Sequence, residues 1–459
     1  MTRNGVANPE KQGRGTGTAG SVSHPRSGGL IRFATLLCCG ASLLTPPMES
    51  PLSMRSVMAS EPANTAPFSE AESRFELVEL LWSVPVRMAT PLDSQGHAPL
   101  PPTSPLLTND LLLLQDRDGI RALDPFTGHP AWPAGAQDAG FLWTSSFRKP
   151  GPGEPLSGHP GAVLSGNHWI GFVDHQLVSL DLEAEGRLAW SLRLEELLGN
   201  LRARGKEASR PVASGDSILI TVRNDNTRSH VLVSCTTAGQ VQWRSEALEC
   251  SHPHSFDVLA PGEAKSGVVY WLAGGQTLVA ADIRSGKFLW KQSFPTAWDG
   301  QTEQNSLAAD LQVHQQEILA LVQGKLFVLD QQDGAILWGD ESESPVWSLL
   351  GVHNGILAAS GPARLVGIDL KTRSPRWRID TEEPESVLPK LGLLREGYAV
   401  WPTASELWVV ELDRGILLER VPLLAATGIE GGTLTLHSQL LIVVTDRECC
   451  VFRLAKRPD

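Results

Sequence analysis

The densest gathering of side chains able to hold a metal is Cys250-Ser-His252-Pro-His254-Ser-Phe-Asp257. Thiolate, imidazole and carboxylate are all zinc ligands, but this spacing matches no standard zinc signature, and two histidines two apart also read as a polar loop. His168 and His175 flank a strand-like run and read as solvated edge groups. The chain holds no P-loop, no GxSxG, no HExxH and no kinase set, so no familiar arrangement for phosphate, acyl or metal chemistry declares itself. Seven tryptophans (Trp143, Trp169, Trp271, Trp298, Trp347, Trp401, Trp408) read as core, with the rim, where Trp favours protein contacts, as the alternative. On these grounds the sequence assigns no catalytic, cofactor-binding or metal-ligating residue.

What does recur is structural. Seven segments stack: IRALDPFTGHPAW (120–132), LVSLDLEAEGRLAW (177–190), LVSCTTAGQVQW (232–243), LVAADIRSGKFLW (278–290), LFVLDQQDGAILW (326–338), LVGIDLKTRSPRW (365–377) and LWVVELDRGILLE (407–419). An acidic residue ends an alternating apolar run at Asp124, Asp181, Asp282, Asp330, Asp369 and Glu411. Gly follows four positions later at Gly128, Gly239, Gly286, Gly334 and Gly415, and Trp follows eight later at Trp132, Trp290, Trp338 and Trp377. One inserted residue moves Gly186 and Trp190 along in the second segment. In the third, Cys235 takes the acidic place ahead of Gly239 and Trp243; Arg373 takes the Gly place in the sixth and Glu419 the Trp place in the seventh.

A period-2 run is a half-buried strand. Asp can bond its own backbone two residues on, and Gly supplies the positive φ that closes a turn. Trp on the following strand offers a flat face to a neighbouring unit and an indole N–H for an acceptor. Further apolar runs precede most segments: SILITV (217–222), GVVYWLA (267–273), EILALV (317–322), GILAAS (355–360) and YAVWP (398–402). Each unit thus holds four short strands, the size of a propeller blade.

The repeat resembles the "ALDxxTGxxxW" tryptophan-docking repeat of PQQ-type (quinoprotein-type) propellers, best kept at Ala122-Leu123-Asp124, Thr127-Gly128 and Trp132. In size and plan the chain is similar to the BamB family of eight-bladed envelope proteins. The resemblance implies that Trp packs on the next blade while Asp and Thr pin the turn. At the ends, VELLWSVPV with Trp82 reads as an outermost strand, and GTLTLHS, LLIVVTD and CCVFRLA as three inner strands lacking a fourth. Joined, they give an eighth blade and remove the exposed edge of the ring. The expected fold is all-β: an eight-bladed β-propeller of four-stranded antiparallel blades, closed by pairing of N- and C-terminal strands, with seven blades as the alternative. LEELLGNLRARGKEAS (194–209) reads as a short helix or excursion, and SSFRKPGPGEPLSGHP (145–160) as an exposed loop.

The same resemblance raises quinoprotein dehydrogenases, whose PQQ and calcium need cationic donors, oxygen ligands and a carboxylate base. Alcohol-oxidising members carry a disulfide between adjacent cysteines, for which Cys449-Cys450 is the counterpart in the body. Adjacent Cα atoms lie about 3.8 Å apart, below the usual disulfide span of about 4.4–6.8 Å, and neighbours on a strand point to opposite faces. Two ordinary thiols are expected there, and Cys235 reads as a small buried side chain.

The 459 residues are 41% hydrophobic and 20% charged, ordinary for a globular protein. The net charge is −12, yet the first 60 residues set Arg3, Lys11, Arg14, Arg26, Arg32 and Arg55 against only Glu10 and Glu49. So acidic a body repels a phosphate backbone, which excludes nucleic acid as a partner. Residues 1–29 read as a basic leader without hydrophobic periodicity, 30–70 as a signal-peptide-like apolar segment and linker, and 71–459 as one propeller domain. Phe33–Leu44 is too short to span a bilayer and suits a signal peptide. Val57-Met58-Ala59 has small-residue spacing far from that core; lipid attachment at Cys38 or Cys39 is the other reading, with Leu36 three before Cys39 but Cys38 where a small residue is usual. A cytosolic protein with an unstructured tail is the third.

The expectation from sequence is therefore an exported, non-catalytic scaffold on the periplasmic side of the envelope, its partners other envelope proteins, with no cofactor. The alternatives are a quinoprotein-like dehydrogenase and a ligand-binding sensor propeller.

Overall fold

Runs such as Glu317–Val322 and Lys325–Asp330 pair as hairpins because each alternates between two buried faces, one toward each neighbouring blade. Repeated around the chain, this gives eight antiparallel sheets. The computed structural model describes residues 77–454, apart from 87–104, 133–160, 200–204, 250–256, 295–308, 340–345, 382–391, 429–431 and a few single residues or pairs. The leader, the apolar segment, the 145–160 loop, Cys250, His252, His254, His175, Trp143, Trp298 and Trp347 lie outside the described residues. No helix among the described residues is long and apolar enough to cross a membrane.

Blade 2 shows the plan: Ala162–Ser165, His168–Val173, Gln176–Asp181 and Arg187–Arg193, innermost to outermost. Blades 4, 5, 6 and 7, which start at Val258, Ala309, Ser348 and Leu393, repeat it. Blade 1 has three strands among the described residues, Leu106–Leu107, Leu112–Asp116 and Gly119–Leu123, with a single bridge from Leu123 to Pro130 where a fourth would begin. Blade 3 has six, because Gly205–Ala208 and Leu248–Glu249 add to its four.

Blade 8 is composite. Thr433–His437, Leu440–Val444 and Glu448–Leu454 come from the end of the chain, and Leu77–Pro85 supplies the outermost strand, with Leu80 opposite Phe452 and Trp82 opposite Val451. The expected closure is thus the one observed.

Up-and-down order puts two kinds of connection at each end of the ring. One end carries the acidic-glycine turns; the other carries the middle hairpin turns and the links between blades. Those links include helix α1 (Leu194–Leu198) and helix α2 (Leu423–Thr427), each ended by a left-handed glycine, Gly199 and Gly428. The 194–209 excursion is therefore a helix followed by an added strand. Arg244 of blade 3 holds the last turn of α1, donating from Nε to Leu197 O at 2.5 Å and from Nη2 to Glu196 O at 2.8 Å. A guanidinium there completes orphan carbonyls and opposes the negative helix end.

The core is a ring of apolar clusters, one in each seam between blades. Cys235 lies in the seam of blades 2 and 3 with Phe172, Leu194 and Ile220. Four of the tryptophans outside the repeat, Trp169, Trp271, Trp401 and Trp408, are buried. His168 corrects its edge reading: it is half-buried on the second strand of blade 2, its Nδ1 3.2 Å from Ser179 Oγ. Its strand is interior because the apolar run after it, not the histidine, sets its place.

Candidate functional site

Two families of residues could do more than fill the core: the repeat positions and the polar groups between blades. The repeat positions come together in pairs from adjacent units. Asp124 Oδ1 accepts from the backbone N–H of Phe126 at 2.7 Å and Thr127 at 3.0 Å, and Thr127 Oγ1 accepts from His129 N at 3.3 Å. Asp181, Asp282, Asp330 and Asp369 take the same part in their turns. Bonds from the Ser285 hydroxyl first, then from backbone amides, hold Asp282 below its ordinary carboxyl range; the Thr372 amide leads the same effect at Asp369. A depressed carboxyl contributes its stability above the unfolded value, about pH 3.9, and loses it as pH falls through the folded value, so these turns loosen only in acid.

Each glycine of the turn lies beneath the tryptophan of the blade before it. A Cβ built on Gly128, Gly186, Gly239 or Gly334 would stand 2.5–2.6 Å from an indole carbon of Trp82, Trp132, Trp190 or Trp290, and closer still at Gly286 under Trp243 and Gly415 under Trp377. Glycine is required twice at these places, for the approach and for the positive φ. The indole N–H then donates into the same turn: Trp82 to Pro125 O at 3.2 Å, Trp190 to Thr237 O at 2.8 Å, Trp243 to Ile283 O at 2.8 Å, Trp290 to Gln331 O at 3.1 Å and Trp377 to Leu412 O at 2.6 Å. Trp82 docks blade 8 on blade 1, so the ring closes by an indole as well as by a strand.

Three exceptions are informative. In the third segment the structure moves the acidic place from Cys235 to Thr236: Gly239 N–H bonds Thr236 O and Thr236 Oγ1 accepts from Gln240 N, in a turn one residue shorter. The Cys235 side chain enters the core instead. At the sixth turn Arg373 adopts φ +58°, and its guanidinium forks onto both carboxylate oxygens of Glu317 in blade 5. That ion pair stands where an indole would meet glycine, and Trp338 packs in the apolar cluster of the same seam. At the seventh, Glu419 pairs with Val409 in the Trp place. The third and outermost strands of blade 8, which it would face, end at Leu454 and begin at Leu77, so they are not consecutive in the sequence. No acidic-glycine turn faces this place among the described residues, so Glu419→Trp is expected to change stability by no more than about 0.5 kcal/mol, the ordinary range for a surface change; a gain comparable with a docked indole would contradict this.

Among the described residues, the polar groups between blades include a buried His–Asp pair at the opposite end of the ring. His230 on Ser229–Thr236 of blade 3 and Asp257 at the start of blade 4 meet at 2.7 Å, Nδ1 to Oδ2, both side chains within 6% exposure. Asp257 Oδ1 also accepts from Gly274 N at 2.8 Å. Of the proposed metal cluster, Asp257 alone is described, and its oxygens serve blade contacts. Other seams carry single ties: Gln115 to Phe172 O, Arg210 to Ala162 O, Tyr270 to Gln331, and Asp310 with Gln312 to both backbone groups of Leu349. No local sequence pattern signals any of these, because the partners sit in different repeats.

The adjacent-cysteine disulfide of alcohol-oxidising quinoproteins is not formed. Cys449 and Cys450 are free and buried, the first facing the cluster shared with blade 1, the second the cluster shared with blade 7. Burial raises both thiols, Cys450 to about 12. Among the described residues no three His, Cys, Asp or Glu side chains converge as a metal site.

Comparison with known proteins agrees with this geometry. Residues 80–379, more than half of the chain, match the family described as outer membrane protein assembly factor BamB. The outer membrane protein assembly factor BamB of Yersinia pestis is 26% identical over 170 residues, covering 36% of this chain and 36% of that protein, so the matched stretch spans about a third of its length. The crystal structure of BamB from Moraxella catarrhalis superposes with a TM-score of 0.55 at 14% identity, over 82% of this chain and 99% of that one. Quinohemoprotein alcohol dehydrogenase from Comamonas testosteroni superposes with a TM-score of 0.55 at 13% identity, over 83% and 77%. At such identities the structural likenesses establish the propeller fold. On the strength of the sequence match across its blades, the chain belongs to the family described as outer membrane protein assembly factor BamB.

Proposed function

We propose that this protein is a non-catalytic propeller scaffold that binds other proteins at the bacterial envelope and assists the assembly of outer-membrane proteins. The observation that carries the reading is the family match over residues 80–379, which spans blades rather than a single motif. Two features support it. The repeat aspartates, glycines and tryptophans are engaged in turns and docking. The outermost strands, meanwhile, expose apolar side chains on neighbouring blades: Leu289 on blade 4 and Ile336 and Leu337 on blade 5. Exposed apolar groups on a firm wall suit protein contact. Export would follow from the Phe33–Leu44 segment, and attachment through Cys38 or Cys39 is a further reading of the same leader.

The test pairs two measurements on the full chain produced in a double-membrane bacterium. Protein from the envelope fraction, exposed to PQQ and calcium, is expected to show a plain protein spectrum, and deletion of its gene is expected to lower the level of folded outer-membrane barrels. A stoichiometric quinone band with calcium, or barrel levels unchanged by deletion, would overturn the scaffold reading.

A further inference from the structure

We propose that Arg210 is a docking residue of the scaffold, receiving an aspartate or glutamate side chain of a partner protein on the open edge of its guanidinium. That a partner protein exists rests on the scaffold reading; which residue meets it, and by what chemistry, rests on the geometry at the end of the ring that carries the links. Arg373, Arg378 and Arg414 each meet a carboxylate of this chain, and Arg244 completes the end of α1. Arg210 is arranged differently. It precedes Pro211 and the innermost strand of blade 3, Val212–Ser214, and reaches across to blade 2, where Nε and Nη2 both donate to Ala162 O at 3.3 Å. Among the described residues no carboxylate accepts from it.

A guanidinium carries its N–H donors in one rigid plane. The Ala162 carbonyl takes the edge formed by Nε and Nη2, so the edge formed by Nη1 and Nη2 is left for another acceptor. The arginine is held in place for it. A Cβ on Gly161 would stand 2.8 Å from Arg210 Cγ and 2.9 Å from Cδ, so this glycine makes room for the arginine stem. The backbone is pinned as well: Ser209 N–H donates to Thr221 O at 3.0 Å, Ser209 Oγ accepts from Thr221 N at 2.9 Å, and Pro211 fixes the φ that follows. A side chain ordered in advance loses less freedom when a ligand arrives.

Water reaches Arg210, yet the protein around it disfavours its charge and lowers the guanidinium from its ordinary value. An anion on the open edge relieves that penalty. A carboxylate suits the edge best, because two oxygens in a plane meet two parallel N–H groups as a bidentate pair. A phosphate-bearing surface would instead bring many negative charges against a chain of net charge −12.

The experiment is modification of the full chain by phenylglyoxal, which reacts with guanidinium groups, followed by peptide mass spectrometry. Arg284, exposed in the blade 4 turn at the other end of the ring, is the internal control. In envelope fractions Arg210 is expected to react at least about fivefold more slowly than in purified protein, as partner in excess of its dissociation constant would require, with Arg284 unchanged. R210K keeps the stem and the charge and supplies an amine. A carbodiimide that activates the partner carboxylate, taking up the water lost, is expected to join that amine by an amide bond to an aspartate or glutamate of another protein. Equal Arg210 rates in the two preparations, or protection without such an amide, would overturn the proposal. So would protection of the purified chain by phosphatidylglycerol vesicles alone, which would assign the edge to lipid phosphate. Barrel levels that fall on deletion of the gene while Arg210 stays equally reactive would remove this contact and leave the scaffold reading standing.

Discussion

Trp377→Ala is expected to cost about 3–5 kcal/mol, the range for removing a large buried aromatic and leaving the space behind it. Of the docked indoles this one is held most closely. It lies between Gly367 of its own blade and Gly415 of the next, and donates to Leu412 O at 2.6 Å, the shortest of the indole bonds named above. Around it Trp401, Trp408, Ala358 and Ala399 form the apolar seam of blades 6 and 7. Neither glycine can rearrange to fill the gap, because each has only backbone to offer. Trp377→Phe keeps part of the area and loses the N–H bond, so about 1–2 kcal/mol is expected. Urea denaturation followed by far-ultraviolet circular dichroism measures both. A loss under about 1 kcal/mol for the alanine variant would mean that docking does not fasten the blades.

Asp257→Ala is the second large effect, with about 2–5 kcal/mol expected, because two buried donors lose their acceptor at about 1–3 kcal/mol each. The carboxylate accepts both from the His230 ring and from the Gly274 amide, so its removal leaves two buried donors of blades 3 and 4 short of an acceptor. Replacing both partners, as in His230→Leu with Asp257→Leu, is expected to cost less than Asp257→Ala alone, because no orphaned polar side chain remains. A double-mutant cycle measures the coupling, and a value near zero would show that the pair merely shares a space. The seam of blades 3 and 4 also holds a docked Trp243, so the damage is expected at one end of the seam rather than along all of it.

The repeat was legible because its residues answer local demands. A turn that needs a positive φ under an indole selects glycine, and an acidic side chain that caps its own turn must sit at a fixed offset. The blade count was legible from two incomplete units, Trp82 with its run and the three runs after residue 430, that complete each other. The Thr236 turn was not, since the spacing from Gly239 to Trp243 is preserved and only the hydrogen bonds reveal the missing residue. Nor were His230–Asp257 or Arg373–Glu317, whose partners are drawn together by ring closure and leave no trace in any one segment. Within the Cys250–Asp257 cluster the last member bridges two blades, a role that its ligand-type side chain does not signal in sequence.

The closing strand also sets an order of events during synthesis. Leu77–Pro85 is made early, yet its partner Glu448–Leu454 is made last. Until then a nine-residue run, LVELLWSVP, has no sheet to join, although the Gly128 turn that receives Trp82 is already made. Such a long-range pairing is slow to find, and an apolar strand left waiting invites the wrong neighbour. The newborn chain is therefore most in need of a chaperone before the final hairpin is complete.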